Sequence, residues 1–308
     1  MRRILSLNYR VHIYALVVMF TAIFAYLFGI YSYPRNIWPI ELLRRITSTL
    51  AVFSRPTIGT FDEFGRLTAY PGKEEITCPT QNEGTAVILA IGQSNSANSG
   101  EKRFSTRHAE KVINYFNGKC YIAASPLLGA SESEGEFMTP LADRLVKSGT
   151  YESVVIISSG ISGSPLSRWQ RDGDLNEMIL TTIRNMRSDY RITEVIWHQG
   201  EKDFVNKTSA KNYVKSFNSL LETFSENKVN APVFISIATK CGFDSTWYKD
   251  NPTAMGQRRL VDNKKIWLGV DTDSTLTESD RRADNCHFSE SGQLKTAMSV
   301  ATAIQKSR

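Results

Sequence analysis

The stretch TAVILAIGQSN, residues 85–95, combines an apolar run with a polar cluster that begins where the run ends. An uninterrupted apolar run of this length predicts a strand that is buried on both faces of a sheet. Four other runs rich in Val and Ile end in Gly, Ser or Thr in the same way: CYIAAS (120–125), SVVIISSG (153–160), EVIWHQG (194–200) and PVFISIAT (232–239). The sequence therefore predicts a sheet of at least five strands.

Helical patterns separate these runs along the chain. They are RHAEKVINYF (107–116), MTPLADRLVKSG (138–149), LNEMILTTIRNMRS (175–188) and AKNYVKSFNSLLETFSE (210–226), with ESGQLKTAMSVATAIQ (290–305) near the C-terminus. Alternating strands and helices predict an α/β domain with a mostly parallel sheet. In such sheets the chemistry collects at the carboxyl ends of the strands, which is where this chain places its polar clusters.

The N-terminal region has a different composition. No Lys, Arg, Asp or Glu occurs between Arg10 and Arg35, and about 20 apolar residues suffice to cross a bilayer. We predict an uncleaved signal anchor over residues 11–33 after a cytoplasmic segment of residues 1–10. A stalk over residues 34–75 would join it to a catalytic domain over residues 76–308, placed in the periplasm or the extracellular space. A cleaved signal peptide is the alternative, but its apolar region is usually shorter.

The composition and the cysteine spacing argue against some partners and cofactors. The 308 residues carry a net charge of +6 without a long run of Lys or Arg, which argues against nucleic acid as a partner. No cysteine pair has metal-ligand spacing, so neither a metal nor another cofactor is expected. The cysteines are either four buried thiols or two disulfides of an exported domain, and the pairs Cys78–Cys120 and Cys241–Cys286 would each link segments that a sheet can bring together.

Four polar clusters carry the chemistry: GQSN (92–95), SSGISGSPLSRW (158–169), WHQGEKD (197–203) and DNCHF (284–288). Only four histidines are available as a general base. His12 lies in the apolar N-terminal stretch and His108 lies in a helical pattern, where a solvated position is expected. His198 and His287 remain as candidates.

A serine nucleophile needs a base within hydrogen-bond reach and a third group that fixes the tautomer of that base. Asp284 precedes His287 by three residues, a spacing that lets the carboxylate reach Nδ1 and leaves Nε2 for Ser94. Glu201 follows His198 by the same spacing, but Trp197 and Gln199 share the strand end with His198, which favours a packed and hydrogen-bonded core residue. We therefore favour Ser94, His287 and Asp284 as the catalytic set.

The anion formed by acyl transfer requires fixed hydrogen-bond donors. The backbone N–H of Ser94 is one candidate if the serine opens a helix. Gly163, after the third apolar run, can present its N–H without a side chain in the way. The side-chain amide of Gln199, at a third strand end, completes the predicted oxyanion site.

Together these clusters resemble the motif blocks of the SGNH hydrolase superfamily. In detail, GQSN, GISGSPLSRW, WHQGEKD and DNCHFSESG are similar to its sialate O-acetylesterase and acetyl-xylan-esterase-like branch, over about residues 84–304. The resemblance implies a flavodoxin-like three-layer α/β/α domain and a serine esterase mechanism without a metal. It implies that Ser94 is the nucleophile, His287 the base and Asp284 the acid that orients the base. It also implies that Gly163 and Gln199 are oxyanion donors.

Other residues near these blocks have open roles. Gly129 in PLLGAS competes with the glycine of the second block as an oxyanion donor. Gln93 and Asn95 are expected to shape the nucleophile turn and contact the substrate. Arg168 and Trp169 either line the sugar side of the pocket or are an exposed arginine and a core tryptophan.

The sequence thus predicts a membrane-anchored serine esterase that removes O-acetyl groups from a glycan through an acetyl-enzyme. Three alternatives stay open. The same triad can serve a glycan O-acetyltransferase, the domain can be an inactive glycan-binding module, or the fold can carry a lipid or thioester hydrolase. The sequence does not give the oligomeric state.

Overall fold

The computed structural model describes residues 18–28 and 59–308. The chain divides into two compact units, one ending at Thr57 and the other spanning Ile58–Arg308. In the first unit, residues 18–28 form a helix. No helix within the two described ranges is long and apolar enough to cross a membrane. The predicted anchor extends beyond residues 18–28 on both sides, and its remaining parts lie outside the described residues, as do residues 1–10 and 34–58.

The second unit contains ten strands, which we number in chain order. They are β1 (Thr60–Phe61), β2 (Leu67–Ala69), β3 (Glu75–Ile76), β4 (Thr85–Gly92), β5 (Val112–Phe116), β6 (Lys119–Ile122), β7 (Ser153–Ser158), β8 (Glu194–His198), β9 (Val233–Ile237) and β10 (Ile266–Asp271). Eight of them form one sheet in the order β10-β9-β8-β4-β7-β5-β6-β3. The six strands from β10 to β5 are parallel, and β6 and β3 are antiparallel additions at one edge. The sheet is therefore mixed, with a parallel centre that includes β4.

Helices cover both faces of this sheet. They are α1 (Met138–Lys147), α2 (Asp174–Met186), α3 (Glu201–Val205), α4 (Ala210–Glu226), α5 (Pro252–Leu260), α6 (Thr272–Thr275) and α7 (Glu290–Ser307). Because successive side chains of a strand point to opposite faces, β4 contributes Leu89 to one core with α2, α4 and α5, and Ile88 to another core with α1 and α7. Both side chains are fully buried. Because helices pack against both faces of the sheet, the domain has three layers, α/β/α.

One predicted helix is a strand. Residues 107–116 form a short 3-10 turn at Ala109–Lys111 followed by β5, which pairs with β7 in the parallel part of the sheet. Burial in the sheet favours the β-branched pair Val112–Ile113 as strand, and the polar residues that suggested a helical face belong to the turn instead. The strand β10 was not predicted from the sequence.

The domain begins earlier than residue 76. The segment predicted as the end of a stalk contains the hairpin β1–β2, and Leu67 of this hairpin is fully buried against Phe116 and Leu128. The N–H of Leu67 also donates to the carbonyl of Ala130 at 2.8 Å. Residues 60–75 therefore belong to the folded unit, because they cover part of its core.

Two disulfides are present, Cys78–Cys120 and Cys241–Cys286. The first ties the segment after β3 to β6 at the edge of the sheet. The second ties the loop after β9 to the residue that precedes His287, so it lies beside the candidate site.

Candidate active site

The nucleophile candidate Ser94 stands just beyond the carboxyl end of β4. Gly92 has a φ of +132°, and a Cβ at this position would lie 2.1 Å from the carbonyl oxygen of His198, so only glycine fits where β4 turns beside β8. The chain then forms a 3-10 turn over Ser94–Ser96. Within the part of the chain that the structure describes, the N–H of Ser94 donates to no protein acceptor, and it stays available to a ligand.

His287 and Asp284 form a hydrogen-bonded pair in the loop before α7. Nδ1 of His287 lies 2.7 Å from Oδ2 of Asp284, and Oδ1 of Asp284 accepts from the N–H groups of Cys286 at 2.8 Å and His287 at 2.9 Å. Partial burial raises the pKa of Asp284, but these hydrogen bonds outweigh it and lower the pKa to about 2. The carboxylate is therefore ionised at neutral pH, and Nε2 is the ring nitrogen left for a reaction.

Asn95 connects the Ser94 turn to the His287 loop. Its Nδ2 donates to the carbonyl of Cys286 at 3.2 Å, and its Oδ1 accepts from the N–H of Phe288 at 3.3 Å. The residue after Ser94 is thus bonded to both neighbours of His287, which brings Ser94, His287 and Asp284 into one site. Asn95 is buried and its amide contacts protein groups, so the expected contact with substrate does not fit this residue.

The two glycine candidates for the oxyanion site differ in the state of their N–H groups. The N–H of Gly129 donates to the carbonyl of Leu67 at 2.9 Å, so it is already used. Gly163 has a φ of +66°, and its N–H has no acceptor among the described residues. The loop that carries Gly163 also meets the nucleophile turn closely, because a Cβ on Gly160 would lie 2.7 Å from the carbonyl carbon of Ser96.

The amide of Gln199 does not fit the predicted role of oxyanion donor. Gln199 is fully buried, and its Nε2 lies 2.5 Å from Oδ2 of Asp203, 3.2 Å from the carbonyl of Ser164 and 3.4 Å from Oε1 of Gln93. Its Oε1 accepts from the hydroxyl of Tyr213 at 3.0 Å. Both N–H bonds of the amide are therefore satisfied inside the protein, and the side chain braces the site from behind.

Gln93 offers the donor that Gln199 does not. Its Oε1 accepts from the N–H groups of Lys202 at 3.1 Å and Gly200 at 3.4 Å, so two main-chain donors fix the orientation of the amide. Over the described ranges Nε2 of Gln93 has no protein acceptor. This nitrogen is not fully buried. The amide nitrogen therefore reaches solvent beside Ser94. The sequence signal for this role is a glutamine directly before the serine at a strand end.

Arg168 and Trp169 have structural roles. Trp169 is fully buried, packs edge-on against Trp197 with ring centroids 5.7 Å apart, and donates from Nε1 to Oγ of Ser164 at 2.9 Å. Arg168 forms an ion pair with Asp174 at 2.6 Å on the surface. The structure therefore favours the core tryptophan and the exposed arginine over a sugar-binding pair.

The second histidine candidate is enclosed behind the site. His198 is fully buried between the rings of Phe137 and Phe288, with centroids 6.0 and 5.3 Å away. Its Nε2 lies 3.6 Å from Oε1 of Glu201. Burial raises the pKa of Glu201, but the interactions with His198 and Asn95 outweigh it and the pKa is lowered. His198 cannot reach a substrate, which leaves His287 as the accessible one of the two histidine candidates.

Two solved structures have a fold similar to that of this chain. A protein of Arabidopsis thaliana has a similar structure, with a TM-score of 0.57 and 17% identity over 72% of this chain and 98% of its own. NanS is also similar, with a TM-score of 0.50 and 16% identity over 72% of this chain and 97% of its own. No curated protein gives a significant match.

The fold is that of an SGNH-like carbohydrate esterase. The profile of one family, described as carbohydrate esterase, sialic acid-specific acetylesterase, matches residues 84–306, well over half of the chain. The chain therefore belongs to this family and is a carboxylic ester hydrolase. The predicted resemblance to this branch of the superfamily is confirmed.

Proposed function

We propose that this protein removes O-acetyl groups from a carbohydrate through an acetyl-enzyme on Ser94. The observation that carries the proposal is the pair of Asp284 and His287, joined at 2.7 Å, in a loop that Asn95 ties to the nucleophile turn. Membership of the acetylesterase family supports the acetyl group and the carbohydrate as the two halves of the substrate.

In the proposed mechanism, Nε2 of His287 accepts the proton of Ser94 as Oγ attacks the acetyl carbonyl carbon. Three donors stabilise the resulting oxyanion: the N–H of Ser94, the N–H of Gly163 and Nε2 of Gln93. Collapse of this intermediate breaks the ester bond, and His287 returns the proton to the departing sugar oxygen. A water molecule, deprotonated by His287, then attacks the acetyl-enzyme; the bond between the acyl carbon and Oγ of Ser94 breaks, acetate leaves, and His287 returns the proton to Oγ. Asp284 stays ionised and holds His287 in the required tautomer.

The test compares the full-length chain with its Ser94→Ala variant on an aryl acetate and on O-acetylated sugars. We expect acetate release from both substrates by the parent and almost none by the variant. Acid quenching during turnover should trap an acetyl group on the peptide that contains Ser94. Ser188→Ala, at the opposite end of the sheet, is the matched control. Equal activity of the parent and Ser94→Ala would refute the serine mechanism.

An added oligosaccharide tests transfer against hydrolysis in the same assay. Under the hydrolase proposal, acetate release continues and the oligosaccharide remains unmodified. Acetylation of the oligosaccharide at the expense of free acetate would identify a transferase that uses the same residues.

We also propose that residues 11–33 anchor the enzyme to a membrane, with the catalytic domain outside the cytoplasm. The uncharged stretch between Arg10 and Arg35 supports the anchor, and the two disulfides support an oxidising compartment. After washing of membranes at alkaline pH, the full chain should stay in the pellet and a chain that lacks residues 1–33 should not. Recovery of a mature chain that begins after residue 33 would establish a cleaved signal peptide instead.

A further inference from the structure

The turn after β8 holds both neighbours of Ser94. Its main chain orients the amide of Gln93 through the N–H groups of Gly200 and Lys202, as described above. Its first helical residue, Glu201, reaches the other neighbour, because Oε1 of Glu201 accepts from Nδ2 of Asn95 at 2.9 Å. One short segment therefore controls the side chains on both sides of the nucleophile.

Hydrogen bonds fix the orientation of the side-chain amide of Asn95. Its Nδ2 donates both to Glu201 and to the carbonyl of Cys286, while its Oδ1 accepts from the N–H of Phe288. Because an amide has two N–H bonds and one oxygen, these three contacts determine which way the group faces. A rotation by 180° would set the amide oxygen against the carboxylate of Glu201 and the carbonyl of Cys286.

The contacts of Asn95 are among those that fix the segment around His287. The carbonyl of Cys286 also accepts from Nη1 of Arg281 at 2.9 Å, so the segment before the histidine is held from two sides. The N–H of Phe288, directly after the histidine, depends on Asn95. The amide of Asn95 therefore links the Ser94 turn directly to the two residues that flank His287.

We propose that Glu201 is a positioning residue of the esterase, which keeps the amide of Asn95 in the orientation that holds His287 against Ser94. This inference rests on the proposed function of Ser94 and His287. Glu201 is buried, and its carboxylate faces His198 as well as Asn95, so we expect it to act through Asn95 and not on the substrate.

Variants of the full-length chain separate positioning from mere burial of a carboxylate. Glu201→Leu removes the acceptor, and we expect kcat to fall about 10- to 100-fold with KM nearly unchanged, since small misplacements of reacting groups carry losses of this order. Glu201→Gln keeps an amide oxygen for Asn95, and we expect it to retain activity within about threefold of the parent, a difference well under 1.4 kcal/mol.

A charge exchange gives the sharpest test. Asn95→Asp sets two carboxylates against each other and removes the donor to Cys286, and we expect kcat to fall about 100-fold or more. Adding Glu201→Gln to this variant lets the new amide donate to Asp at position 95. The double variant should therefore recover about tenfold of the lost kcat, a gain equal to about 1.4 kcal/mol of barrier.

The remaining comparison is between Asn95→Ala and the double variant Asn95→Ala with Glu201→Leu. If Glu201 acts only through Asn95, the second substitution adds no further loss of kcat. Circular dichroism and the melting temperature monitor folding, and Glu177→Gln, on the surface of α2, is the matched control.

Full activity of Glu201→Leu, independent losses in the double variant or no recovery in the charge exchange would overturn the inference. If Glu201→Leu does not fold, the charge exchange alone decides. An error in the proposed function itself gives a different result, because Ser94→Ala would then be as active as the parent.

Discussion

Nε2 of Gln199 lies 3.4 Å from Oε1 of Gln93, so the two amides meet with the nitrogen of one facing the oxygen of the other. The same Nε2 of Gln199 also contacts Asp203 and Ser164, and Oε1 of Gln199 accepts from the hydroxyl of Tyr213. Gln93 keeps its nitrogen free of protein acceptors within the described part of the chain. Under the proposed mechanism, Gln93 and not Gln199 is therefore the amide that can donate to the oxyanion.

Replacement of Gln93 by Glu tests this assignment. The change keeps an oxygen that accepts from the N–H groups of Gly200 and Lys202, but it replaces the free nitrogen with a second oxygen. We expect kcat for acetyl ester hydrolysis to fall about 10²–10³-fold, the usual loss for one oxyanion donor, with a small change in KM. Steady-state kinetics on an aryl acetate provide the measurement.

The matched control for this change is Gln81→Glu. Gln81 bonds the main chain of Arg191 at the other end of the sheet, so this variant should behave as the parent does. A normal kcat in Gln93→Glu, with the expected loss in Ser94→Ala, would remove Gln93 from the oxyanion site.

Replacement of Asp284 by Asn tests the role of the ionised carboxylate. The Oδ1 of the new amide can still accept from the N–H groups of Cys286 and His287, so the loop should keep its shape. Its nitrogen, however, faces Nδ1 of His287 and forces the proton onto Nε2, which can then no longer accept the proton of Ser94. We expect kcat to fall by about 10⁴, as for the corresponding change in a serine protease. Asp262→Asn, at a distant turn, is the control, and a loss below about tenfold would contradict the triad.

The strands β4, β7, β8 and β9 were predictable because central parallel strands are continuous apolar runs. The strand β5 was not, since VINYF follows charged residues that complete a helical pattern, and only its pairing with β7 decides its conformation. In the site, a polar cluster at a strand end identified Ser94, and the three-residue spacing before the last helix identified Asp284 and His287 as candidates. The sequence could not distinguish Gln93 from Gln199, because the difference depends on which amide the N–H groups of the turn after β8 engage.

The two disulfides should differ in their effect on activity. Cys241–Cys286 ends one residue before His287, whereas Cys78–Cys120 lies at the β3 edge of the sheet. Each closes a loop of similar length, with sequence separations of 45 and 42 residues, so loss of either should destabilise the fold by a similar amount, about 4 kcal/mol in the chain-entropy description. Replacing Cys241 and Cys286 by Ser should also lower kcat in the fraction that remains folded.

Three measurements test this difference: urea denaturation, kcat per folded molecule and a thiol count. The variant that lacks Cys78 and Cys120 is the matched control, and it should lose stability but keep its kcat. The parent, denatured without reductant, should show no reactive thiol. Four thiols per chain would exclude both bonds, and equal kcat values in the two variants would show that the Cys286 bond does not hold His287.

The stability of the domain should fall in acid because of Asp280, which is buried beneath α7. Its carboxylate accepts from Nζ of Lys295 at 2.8 Å, the N–H of Thr277 at 2.9 Å and the hydroxyl of Ser291 at 2.8 Å. Burial raises the pKa of Asp280, but these donors outweigh it and hold the pKa far below its usual range.

A carboxylate with a lowered pKa in the folded state stabilises the fold above its ordinary pKa, and this contribution is lost as the pH falls below about 4. Asp280→Asn should therefore lose about 2 kcal/mol at pH 7 and show a weaker loss between pH 5 and pH 3 than the parent. Urea denaturation at these three pH values measures both effects, and Asp250→Asn, at an exposed site, is the control. An identical pH dependence in the parent and Asp280→Asn would show that other groups govern the acid sensitivity.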